Sequence, residues 1–96
     1  VSQTPTGALQ YAHINTLTTT VVKSAPGMLH TVTINSKGGT ASIATIYDNT
    51  SGSGTVLAVI DVTAQLVTLV YDIQFLTGLT IVTATGSAAD LTVSYT

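Results

Sequence analysis

From Met28 to Asn35 apolar and polar residues alternate, with Met28, His30, Val32 and Ile34 on one side and Leu29, Thr31, Thr33 and Asn35 on the other. A period of two is that of a β-strand. The same signal recurs along the chain. Leu17–Lys23 forms a first run, closed by Ser24-Ala25-Pro26-Gly27, and Ser36-Lys37-Gly38-Gly39 separates Met28–Asn35 from Thr40–Asp48. Gly and Pro clusters of this kind mark turns. After the polar Asn49–Gly54 loop, Thr55–Val62 is apolar at nearly every position, as expected of a strand covered on both faces in a sandwich or an oligomer. Val67, Leu69, Tyr71, Ile73 and Phe75 make the longest alternating series; Leu79–Ala84 and Leu91–Tyr95 complete seven expected strands. Helix competes only over Val56–Val70, where β-branched residues argue against it.

Seven short strands punctuated by turns predict an all-β, single-domain antiparallel β-sandwich of jelly-roll type. Residues 1–15, with Pro5 and Gly7 and no sustained period, read as an extended N-terminal arm, and residues 16–96 as the sandwich. Pro5, Tyr11, His13, Ile14 and Leu17, in or just beyond the arm, are the candidate partner-contact residues. Tyr11 is the aromatic most free to meet a partner.

Composition narrows the function. Only 6% of the 96 residues are charged and the net charge is −2, while twenty are Thr. The polar surface is therefore built from hydroxyls, with little like-charge repulsion to keep neighbours away. Two lysines cannot neutralise a run of phosphates, so no direct nucleic-acid contact is expected. No apolar run approaches the length of a membrane-spanning helix, so no membrane partner is expected either. Without cysteine, stability must come from burial, ladder hydrogen bonds and association.

The chain carries eight Ser, two His and four Asp, but no G-x-S-x-G elbow. His30 sits within an alternating strand, as a structural histidine would. His13 and His30 match no zinc spacing. Asp48-Asn49-Thr50-Ser51-Gly52-Ser53-Gly54 has the start of a calcium loop, yet the twelfth position is Val59 where a bidentate Glu is required. Gly52-Ser53-Gly54 leads into a strand, where a phosphate cradle needs a helix. No catalytic, cofactor or metal residues are assigned, and the expectation is a non-enzymatic module. A glycan- or host-surface-binding sandwich is the alternative, weakened by the absence of Trp.

Gly27-Met28-Leu29-His30 with Ile34-Asn35, Ile46-Tyr47-Asp48-Asn49-Thr50 with Gly54-Thr55, Tyr71-Asp72-Ile73 with Phe75, Gly78-Leu79-Thr80, and Asp90-Leu91-Thr92-Val93-Ser94-Tyr95 resemble the small β-sandwich virion proteins of tailed bacteriophages. These are the capsid decoration (cement) and head-fibre proteins. The resemblance covers Gly27–Thr96. It implies a structural protein on the outer surface of the capsid, binding major capsid protein and assembling as a homo-oligomer, with a trimer favoured.

Overall fold

The computed structural model describes residues 9–96. Among them are eight β-strands and no helix: β1 (Gln10–Ile14), β2 (Thr19–Lys23), β3 (Gly27–Ser36), β4 (Ile43–Asp48), β5 (Thr55–Asp61), β6 (Thr68–Phe75), β7 (Leu79–Val82) and β8 (Asp90–Tyr95). They form two antiparallel four-stranded sheets, β1-β8-β3-β6 and β2-β7-β4-β5. First pairs with last and so on inward, β1 with β8, β2 with β7, β3 with β6 and β4 with β5. Cross-pairing of β8 with β3 and of β7 with β4 wraps that ribbon into the two sheets of a jelly roll.

Alternation supplies the core. Ile14, Leu29, Val32, Ile34, Phe75, Leu91, Val93 and Tyr95 face inward from the first sheet and meet Ala44, Ile46, Ile60, Leu79 and Ile81 from the second. Each large side chain buried here contributes about 1.5–3 kcal/mol against exposure. The few buried polar side chains are satisfied. The Thr83 hydroxyl donates to Thr16 O at 2.8 Å, and the Ser42 hydroxyl donates to Ser87 O. No buried side-chain nitrogen or oxygen among the described residues lacks a partner.

Three departures from the sequence reading have physical causes. Gln10–Ile14, read as the end of an arm, is the strand β1, paired with β8 in unbroken register from Gln10–Tyr95 to Ile14–Leu91. Residues 1–8 of the expected arm lie outside the described residues.

The second departure is in β3, where strict alternation placed Leu29 opposite in sense to Val32 and Ile34. All three are buried together. Tyr95 and Ser94 are adjacent in β8, but their β3 partners Leu29 and Thr31 are separated by His30, and the β6 partners Ile73 and Val70 by Tyr71 and Asp72. This bulge kinks the sheet and reverses the facing of Leu29. Asp72 takes the left-handed conformation, φ 49°. An Asp tolerates this better than a β-branched residue.

The third concerns coverage. Thr55–Val62 was expected to be covered on both faces in a sandwich or an oligomer; within the single chain β5 is an edge strand with Val56 and Val59 exposed, so the sandwich alone does not cover it. The strand buried on both sides is β7. The Asn49–Gly54 loop folds over its outer side, where Thr80 donates its hydroxyl to Asn49 O at 2.8 Å. A Cβ on Gly52 would stand 2.8 Å from Val82 Cγ2.

Candidate interaction surfaces

Among the described residues no concave pocket forms, and no three His, Asp or Glu side chains gather as metal ligands. What the fold presents outward are two sheet faces and four strand edges.

The outer face of the first sheet is polar and cross-linked. His13 on β1 donates from Nε2 to Asp90 Oδ1 at 2.7 Å, and Asn35 on β3 donates to the same oxygen at 2.9 Å and to Thr92 Oγ1 at 2.9 Å. The Asn35 amide first, and the His13 ring second, hold the Asp90 carboxyl below its ordinary pKa. Farther along, His30 Nδ1 pairs with Asp72 at the bulge, and the hydroxyls of Thr31 and Ser94 bond to each other across β3 and β8. The sequence reading found both histidines but neither partner, because Asp90 and Asp72 lie 77 and 42 residues away.

The outer face of the second sheet is different. Strand register places Val21, Thr80, Tyr47 and Val56 in one cross-strand row and Thr19, Val82, Thr45 and Val59 in the next. Neither row contains a charge. The Asn49–Gly54 loop covers the middle, while Val21, Val56 and Val59 stay exposed, Val59 at 63%. The loop is held by its own groups: Asn49 Nδ2 donates to Ser53 O at 2.8 Å, and Gly54 turns back to β5 at φ 96°.

At the end of β4, Asp48 anchors the turn between β6 and β7. Its carboxylate accepts the backbone N–H groups of Leu76 at 2.9 Å, Thr77 at 2.8 Å and Gly78 at 3.3 Å. These bonds, Leu76 first, lower the Asp48 pKa. The residue that looked like the start of a calcium loop is thus occupied by backbone donors.

The candidate partner residues separate. Tyr11 is 74% exposed on the outer face of β1, and Leu17 is also exposed. His13 is half-exposed and engaged with Asp90. Ile14 is corrected in one respect: it is 4% exposed, so its side chain is part of the core at the end of β1 and is not displayed to a partner. Pro5 lies outside the described residues. Sequence reasoning missed the exposed apolar residues Val21, Val56, Val59, Leu66, Val70 and Leu76. Of these, Val56 and Val59 read as covered because the strand order is not visible in the sequence, and the others were given no contact role.

Comparison with protein-family models, with curated proteins and with solved structures found no match for this chain.

Proposed function

We propose that this chain is a structural virion protein of tailed bacteriophages, a decoration (cement) protein that binds major capsid protein on the outer surface of the shell as a homo-oligomer. The observation that carries the reading is the exposure of large apolar side chains on a nearly uncharged jelly roll, above all Val21, Val56 and Val59 around the second sheet. A partner covering these side chains would take their apolar area out of water. The family-like residues between Gly27 and Thr96 supply the identity of the partner, and the trimer follows from that resemblance alone. Jelly rolls serve in viral capsids and in lectins, so the fold is compatible with the reading without selecting it. Several copies held together bind a repeating shell through many weak contacts at once. Sedimentation of empty phage shells with the purified chain tests the reading: the chain pellets with shells, saturably, and a chain left in the supernatant refutes it.

A second reading, glycan binding, is favoured by one observation. Tyr11 stands exposed on a hydroxyl-rich face beside His13, and an exposed ring next to hydrogen-bonding groups is the equipment a sugar platform needs. A glycan array with the Tyr11→Ala variant as control separates the two: array signals lost on removing Tyr11 support it, and a silent array removes it.

A further inference from the structure

Each sheet ends in two strands with one free side, and the four edges differ in what protects them. A bare edge is a template for another strand, and proteins blunt edges with shortness, bulges, charges or cover. β1 has only five residues. β2 is equally short, shifts register between Val21 and Lys23, and ends on a lysine. β6 is broken by the left-handed Asp72. β5 has seven residues, with Val56–Ile60 uncharged and free of Pro, Gly and Lys. Its irregularity falls at Leu57, leaving Ala58–Asp61 in regular ladder with Ile43–Ile46.

We propose that β5 pairs with β5 of a second copy, antiparallel, about a two-fold axis at Val59. An edge offers a row of backbone N–H and C=O groups, and the ligand that satisfies such a row is an extended strand. A second β5 fits that row. Centred on Val59, outward Val59 meets its own copy, and inward Ala58 meets Ile60. Leu57 then lies opposite Asp61, so the strand's one charge never faces its equivalent, a pairing that would be unfavourable. The Asp61 carboxylate stays engaged by Thr63, whose N–H it accepts at 2.9 Å. Two four-stranded sheets become one continuous sheet. An isologous contact uses up the edge, so the pair closes where an open edge would propagate. The inference rests on the homo-oligomeric part of the proposed function and not on its capsid part, and it gives a two-fold pair where the family resemblance implies a trimer.

The absence of cysteine makes the test direct. Facing Cα atoms of an antiparallel pair lie about 4.5–5.5 Å apart, within the span a disulfide bridges. Val59→Cys therefore oxidises to a covalent dimer that keeps the far-ultraviolet circular dichroism of the wild type, while Val70→Cys, equally exposed on β6 at 64%, does not. In sedimentation velocity the full chain runs as a dimer, and Val59→Lys, which sets two ammonium groups face to face, weakens association by about tenfold or more. A wild-type monomer at every concentration, a trimer indifferent to Val59→Lys, or Val59→Cys oxidising no faster than Val70→Cys overturns the pairing. Shell binding is scored separately: a monomer that binds shells sinks the pairing alone, and a dimer that ignores shells sinks the capsid reading alone.

Discussion

Leu29→Ala and Met28→Ala, taken together, test the bulge at His30. If β3 alternated without interruption, Met28 would share the core face with Val32 and Ile34, and Leu29 would lie outside. With the bulge, Leu29 is fully buried and Met28 is only half-buried. Leu→Ala deletes about three buried carbons at ~0.8 kcal/mol each, roughly 2.4 kcal/mol, before the cost of the cavity left behind. Leu29 sits among Val32, Phe75 and Tyr95 in a closed core, so the cavity adds to that, and about 3–4 kcal/mol is expected. For a domain of this size that lowers the melting temperature by more than about 10 °C. Met28→Ala should cost under ~1 kcal/mol. Urea unfolding followed by circular dichroism, at one fixed protein concentration so that association does not enter, measures both. A loss below ~1 kcal/mol for Leu29→Ala, or a larger loss for Met28→Ala, refutes the reversal of facing.

Two further predictions concern the β6–β7 turn. The folded Asp48 carboxyl titrates below its ordinary value of 3.8, so its contribution to stability is complete above the unfolded pKa and is lost as pH falls through the folded one. Urea midpoints measured on the acid side should therefore fall less steeply with acidification in Asp48→Asn than in wild type, and parallel profiles would contradict this. Gly78→Ala places a Cβ 2.8 Å from Lys23 O and 3.0 Å from Asn49 O, both backbone atoms that cannot step aside. A cost of about 1–3 kcal/mol is expected in the same unfolding assay, and a neutral result would mean that the turn is looser than described.

The two-residue period was enough to find seven of the strands, because β4, β6 and β8 alternate more and less buried positions along most of their length. β1 escaped because its inward residues are Ala12 and Ile14 alone, a signal too short to stand out beside Pro5 and Gly7. The face of Leu29 was not legible because the bulge at His30 shows only in its register against the neighbouring strands β6 and β8. Coverage depends on strand order too. β5 and β7 are both apolar in sequence, but only β7 lies between two neighbours and beneath a loop.

The candidate surfaces follow the same logic. Tyr11 and Leu17, named as candidate contacts from the sequence, are both exposed in the fold. Ile14 looked similar, and only its pairing with Leu91 reveals it as core. The exposed valines of the second sheet take their places only with the strand order, Val21 on the β2 edge and Val56 and Val59 on the β5 edge. Low charge was visible throughout. What it implies, surfaces suited to being covered, takes on a location only in the folded chain.

The role proposed for this jelly roll is to bind a shell and hold it together. The most direct measurement is the melting temperature of empty phage shells with and without saturating protein. A ligand that binds the intact shell and not its separated subunits must raise that temperature, in a concentration-dependent way. Such a rise is expected, larger for wild type than for Val59→Lys because paired copies bind through two contacts at once. An unchanged shell melting temperature at concentrations where the chain is folded and in excess would contradict it.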